Sequence, residues 1–451
     1  MIILHKATIV TSEKESVGSI IVEGGRISDI FYTDAEDYDF RIGKYLEDPD
    51  AEIWQLEGKH IMAGGIDAHV HFREPGLTHK ADMATESRAA VSGGVTTVFD
   101  MPNTNPPTIT AEALKEKMQL AEGRSVAKIG FHIGATNSNA DNICNLIING
   151  DEGCGLKADD IPGVKVFMGS STGNMLVDQK SSLERLFQIG EKPILVHCED
   201  EQTIKENLAA AQEKYGDDIP FAEHEHIRSR RACIKSSIKA LEMAMRHGTK
   251  LVLCHISTKE EIEMVRAAKI NNPDITAETS CNYLWFSNED YDRAGSRAKC
   301  NPSIKTAEDR QALRNALAEG IIDTIGSDHA PHLLSEKEGS YTKAPSGLPS
   351  IQQSLPVLVT VAEKEGIPLT RIAAAFSEKA SEIYGLKRGK IKRGYEADLV
   401  IFDINKEFVV RAEDQQSKCG WTPYEGETLK GYIEAVLIDG KAVVKDGKLT
   451  V

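Results

Sequence analysis

Residues 66–72 read IDAHVHF, a short β-rich run, and runs of the same kind return along the chain. They are VTTVFDM (95–101), KIGFHIGA (128–135), GVKVFMG (163–169), PILVHC (193–198), KLVLCHI (250–256), DITAETS (274–280) and DTIGSD (323–328). Between them, TAEALKEKMQLAEG, IKSSIKALEMAMRHG and KEEIEMVRAAKI carry apolar residues at helical spacing. Eight strands alternating with helices over about 320 residues is what a (β/α)8 barrel requires, whereas an open doubly wound sheet usually has fewer strands. The prediction is therefore an α/β fold, a TIM-like (β/α)8 barrel. Outside it the pattern changes. IIVEGGRISDI (20–30) and AVLIDGKAVVKDGKLTV (435–451) are β-rich runs broken at Gly-Gly and Asp-Gly turns, with no helical period. The two ends are expected to share a small β-sandwich domain, residues 1–57 with 390–451, around a barrel at 58–389.

The 451 residues hold 53 Lys plus Arg against 69 Asp plus Glu, a formal charge of −16. A phosphate backbone is held largely by Lys and Arg, so this balance, with no basic run, argues against nucleic acid. No stretch approaches the roughly 18 to 20 apolar residues of a membrane span, and the opening MIILHKATIV lacks the pattern of a signal peptide. A cytoplasmic location is the default expectation. The eight cysteines are scattered without a C-x-x-C pair and are read as reduced thiols.

In a barrel the active site lies at the C-terminal ends of the strands. His69 and His71 are two apart on one strand, so both point the same way and form a chelating pair, the alternative being chance surface histidines. His197, His255 and Asp328 each end an apolar strand. One buried histidine is ordinarily a hydrogen-bonded core residue. Five such groups at one barrel mouth argue for a cation, because burying them unpaired would be costly, and imidazole with carboxylate suits Zn2+ or a similar ion. Lys165, between Val164 and Val166, is expensive to bury as an ammonium. It either pairs with a carboxylate, which the sequence alone favours, or reacts with CO2 to give a carbamate ligand. Cys198 and Cys254 adjoin His197 and His255, but strand alternation predicts that both thiols face the helix layer. His132, His224 and His226 are read as structural.

Taken together, GGIDAHVHFREPGLTHK, GGVTTVFDMPNTNPPT, GVKVFMGSS, LVHCED, CHIST, NPSIK and GSDHAPH resemble the dihydroorotases of the amidohydrolase superfamily over nearly the whole chain. The resemblance implies zinc-dependent, reversible interconversion of N-carbamoyl-L-aspartate and (S)-dihydroorotate in pyrimidine biosynthesis. It implies two Zn2+ per subunit, bridged by carboxylated Lys165 and hydroxide, with His69, His71 and Asp328 on one ion and His197 and His255 on the other. Asp328 would be the catalytic proton carrier. Substrate contacts would come from His71, Arg73, Asn103, Asn301 and His332, and from the backbone of Ser346 and Gly347; the plain alternative for Arg73 is a surface ion pair with Glu74. A homodimer is the default assembly, and association with aspartate transcarbamoylase is a further partner the resemblance brings into view. PSIK after Asn301 and CNYLWF (281–286) depart from the family pattern, but no expected ligand is missing. The alternatives are an allantoinase, a dihydropyrimidinase (hydantoinase), or a non-catalytic scaffold for the transcarbamoylase.

Overall fold

A computed structural model of the chain describes residues 1–169 and 175–451. The two serines that end the GVKVFMGSS motif lie outside the described residues. Eight parallel strand positions form the barrel: Gly65–Val70, Val95–Asp100, Lys128–Phe131 continuing as Ile133–Gly134, Val164–Phe167, Ile194–His197, Leu251–Leu253, Ile275–Thr279 and Thr324–Ile325. The ring closes where Val70 bridges His329 in parallel and His71 N donates to His329 O at 2.8 Å. Most of these strands are buried along their whole length, which is why they read as apolar runs rather than as alternating ones.

The helices between them begin where polar side chains can take the free N–H groups of the first turn. Thr258 accepts from Glu261 N at 3.2 Å and Glu261 reaches back to Thr258 N, so Lys259–Lys269 starts in a capping box; Thr306 and Asp309 do the same for Ala307–Glu319. The helix predicted across 234–248 runs from Arg230 to His247 and stops at Gly248, whose φ of 68° suits a residue without Cβ.

The two ends of the chain meet in one sheet. Ile2–Val10 pairs antiparallel with Glu15–Glu23 and parallel with His60–Ala63, and His60–Ala63 pairs antiparallel with Leu399–Asp403, followed by Tyr432–Ile438, Lys441–Lys445 and Lys448–Leu449. The pleat sorts the side chains. Leu4, Ile20, Ile61, Leu399, Ile401 and Leu437 fill an apolar interior of the terminal sheet, while Met62, Val400 and Val436 join the barrel core. Among the described residues, no helix is long and apolar enough to cross a membrane.

Candidate active site

Ten of the twelve residues expected at the site line one cavity at the C-terminal mouth of the barrel: His69, His71, Arg73, Lys165, His197, His255, Asn301, Asp328, Ser346 and Gly347. The other two, Asn103 and His332, stand behind it, against His71 and Arg73. Arg73, His255 and Asp328 each leave their strand with a positive φ, of 67°, 40° and 48°. For residues with a Cβ this conformation costs on the order of 1–3 kcal/mol, and such strain gathers at functional sites.

The imidazoles are oriented by the atoms behind them. His69 Nδ1 lies 2.8 Å from Glu278 Oε1, and His71 Nδ1 lies 2.8 Å from Asn103 Oδ1. Asn103 Oδ1 accepts, so the His71 proton sits on Nδ1 and its Nε2 keeps a lone pair for the cavity. Glu278, whose carboxyl burial raises to about 8, shares a proton with His69 Nδ1, and His69 Nε2 is turned to the cavity as well. Those nitrogens lie 3.5 and 3.1 Å from Asp328 Oδ1. In the other half, His197 Nε2 makes a close contact with Glu199 Oε2 at 3.0 Å, off the line of an ideal hydrogen bond, and Glu199 is held in turn by Arg228. His197 Nδ1 is then left 2.9 Å from His255 Nε2, while His255 Nδ1 is buried without a partner among the described residues. Burial holds all four imidazoles below the ordinary histidine range, and so in the neutral, metal-binding form. Burial opposes ionisation of Asp328, but the neighbouring His71 and Lys165 hold its carboxyl below its ordinary value. Lone pairs and carboxylate that converge without enough protons between them fit a divalent cation.

Lys165 is fully buried, and no described carboxylate lies within ion-pairing distance; its Nζ instead meets Cys254 Sγ at 3.3 Å. That contact corrects the expectation for Cys254, whose thiol faces the barrel interior rather than the helices. The left-handed turn at His255 breaks the strand alternation, so Cys254 and His255 both point inward. Burial pushes the Cys254 thiol up to about 12, which removes it as a nucleophile. Cys198 faces Ser236 and Ser237 on the helix Arg230–His247, as alternation predicts.

Glu278 and Glu199 are the site residues that sequence reasoning missed. The available signal was a carboxylate inside or beside an otherwise apolar strand. Glu278→Gln is expected to lower metal affinity about 10–100-fold, the usual cost of removing a ligand's hydrogen-bond partner, measured by competition against a chelator of known affinity.

On the substrate side, Arg73 is buried and carries no carboxylate, since Glu74 pairs with Arg124 at 2.7 Å instead. Its Nε donates to Pro331 O at 3.1 Å, and its Nη2 lies 3.0 Å from His332 Nε2. Asn301 Oδ1 is buried without a partner among the described residues. Gly347 has φ +142°, and a Cβ there would come within 2.5 Å of Ala330 O. Its N–H is already engaged by Lys299 O at 2.9 Å, so the expectation that the Gly347 amide serves a substrate ring is corrected; this residue shapes the wall. Of the three histidines read as structural, two make buried hydrogen bonds and one does not. His132 Nε2 meets Ala68 O at 3.0 Å, His224 bridges Tyr341 Oη and Cys300 O, and His226 is exposed.

Comparison with known proteins agrees with this arrangement. The amidohydrolase family model matches residues 60–443. A dihydroorotase of Methanosarcina mazei is 35% identical over 419 residues, 90% of this chain and 86% of its own, and an allantoinase of Desulfitobacterium hafniense is 32% identical over 404 residues, 88% of each. Among solved structures, L-hydantoinase (dihydropyrimidinase) from Arthrobacter aurescens superposes with a TM-score of 0.89 at 26% identity, covering 100% of this chain and 97% of that one. Amidohydrolases are generally metal-dependent, and His69, His71 and Asp328 form a cluster able to hold an ion. With a barrel-mouth cluster of neutral imidazoles and carboxylate, a matching family model and cyclic-amide hydrolases on every side, the chain belongs to the amidohydrolase family and is a cyclic amide hydrolase.

Proposed function

We propose that this enzyme is a dihydroorotase, interconverting N-carbamoyl-L-aspartate and (S)-dihydroorotate. The observation that carries the reading is Arg73: a buried guanidinium in the cavity wall with no carboxylate on it among the described residues. A carboxylate on the substrate ring supplies that partner, with two N–H donors in a fork that matches its two oxygens. Hydantoins and dihydropyrimidines without a carboxylate do not. Relatives named dihydroorotase and the MPNT and DHAPH segments support the same choice. The allantoinase and hydantoinase alternatives rest on the 32% identity and the superposition above, and neither allantoin nor hydantoin brings a carboxylate to this cation.

In this reading His69, His71 and Asp328 would hold one zinc ion and His197 and His255 a second, with Lys165, as its carbamate, supplying a further anionic ligand. When bound, zinc supplies Lewis acidity toward the scissile carbonyl and makes water acidic near neutral pH. The protein does the rest. Asp328, kept ionised, accepts the proton of the attacking water and carries it to the departing ring nitrogen. Arg73 fixes the ring carboxylate, so that the amide to be cut lies over Asp328, and Asn301 offers its unpaired amide oxygen to a ring N–H.

The test is hydrolysis of (S)-dihydroorotate, hydantoin and allantoin by the purified protein, with metal analysis. Turnover of hydantoin or allantoin without dihydroorotate would overturn the substrate. Arg73→Ala is expected to raise KM for dihydroorotate about 30- to 1000-fold, the cost of about 2–4 kcal/mol for truncating one side of a buried charged pair, with zinc content unchanged. Loss of zinc would place Arg73 among the groups that build the metal site instead.

A further inference from the structure

Behind the cavity wall lie two lysines that the chemistry above does not use. Lys337 ends the short helix Leu334–Lys337, and its fully buried ammonium meets three carbonyls: Pro345 O at 2.8 Å, Gly347 O at 3.0 Å and Lys299 O at 3.2 Å. Lys299 sends its own ammonium to Tyr341 O and Ala344 O, both at 2.6 Å, and over the Tyr341 ring. Lys299 O also accepts from Gly347 N at 2.9 Å. Two loops are thereby tied together: 299–301, which ends in Asn301, and 341–347, which ends in the Gly347 wall. Both loop ends face the cavity.

Neither ammonium has a carboxylate within ion-pairing distance among the described residues. The nearby Glu336 is engaged by Lys80 at 2.9 Å, on the other side of His332. Carbonyl dipoles satisfy the N–H groups but leave the charge uncompensated, and a buried charge in that state is normally costly. Burial accordingly lowers Lys337 to about 7 and Lys299 to about 8, and the positive charges nearby push the same way. With Arg73, three basic side chains stand at this wall, and among the described residues none of them pairs with a carboxylate.

Resting on the dihydroorotase reading, we propose that Lys337 and Lys299 are specificity-determining positioning residues: they lock the Pro345–Gly347 backbone against the Asn301 loop and give the wall a positive charge that a substrate carboxylate completes. They touch no substrate atom. Their effect passes through the backbone they hold and the field they add, and it favours a ring bearing a carboxylate over the same ring without one.

The experiment compares wild type with Lys337→Met, which keeps an unbranched stem one atom shorter and removes the charged nitrogen. Three quantities are read: KM for (S)-dihydroorotate, the inhibition constant of uncharged 5,6-dihydrouracil against it, and zinc content. The expected result is a KM raised about tenfold or more, as for loss of a buried charge that faces an anion, with the dihydrouracil constant and zinc content little changed. An unchanged KM overturns the proposal, and so does an equal loss for both rings, which would mean packing alone. If Lys337→Met does not fold, Lys299→Met carries the same comparison, and the same two outcomes overturn the proposal. A wild type inactive on dihydroorotate would sink the substrate reading instead, so the two failures are distinguishable.

Discussion

Lys165→Ala is expected to lower kcat by about 10³-fold or more, since on the proposed function it removes an anionic metal ligand worth several kcal/mol of transition-state charge stabilisation. The geometry supports this. Lys165 is buried at the centre of the site, among imidazoles and beside Cys254 Sγ at 3.3 Å, without a counter-ion. Addition of CO2 to this amine, with loss of one proton, would give a two-oxygen anionic ligand at the centre of the imidazoles. Alanine leaves a void lined by the same imidazoles. Acetate or propionate should enter it and restore part of the activity, together with zinc content. The measurements are steady-state turnover and metal analysis, with and without the added acid. Full activity in the variant would show that no carbamate is needed.

Asp328→Asn is the second large effect, with kcat expected to fall about 10²–10⁴-fold, the usual worth of a positioned proton carrier. Asparagine is the most conservative choice here for a backbone reason. The residue sits at φ 48°, a conformation that asparagine tolerates better than most side chains, so the loop should keep its path. What is lost is the anion that faces His69 and His71 Nε2 and can accept a proton. KM should change less than kcat if substrate binding depends on Arg73. Parallel loss of zinc, reversed by excess metal together with activity, would instead assign Asp328 a ligand role alone.

The barrel is legible in the sequence because its strands are buried on both faces and each turns to a helical period within a few residues. His69, His71, His197, His255 and Asp328 stand out for the same reason, each being a polar group at the end of an apolar run. Cys254 escapes such a reading because alternation assumes extended backbone, and the positive φ of His255 is invisible in the letters. Glu278 is silent in the sequence because its meaning lies in a partner 209 residues away, His69. The lysine brace leaves no signal at all. Its acceptors are backbone carbonyls, which every residue possesses, so only the folded loops disclose what Lys337 and Lys299 hold. The strand His60–Ala63 shows a related limit: it lies just before the barrel in sequence, yet its backbone pairing puts it in the terminal sheet.

That terminal sheet has a consequence for how the chain acquires its structure. Lys59, just ahead of the strand His60–Ala63, bonds Asp403 from a point 344 residues away, and the ladder between His60–Ala63 and Leu399–Asp403 spans a similar separation. During synthesis the early strands emerge first and can pair with one another, but one edge of His60–Ala63 stays open until the whole barrel has been made. An open edge of this kind is a template for pairing between molecules. Closing it late makes the last folding event one of high contact order, slow relative to the local helices and exposed to aggregation. The barrel is built largely from strand-helix units adjacent in sequence, so the unfinished sheet is a place where a nascent chain is exposed to misassembly.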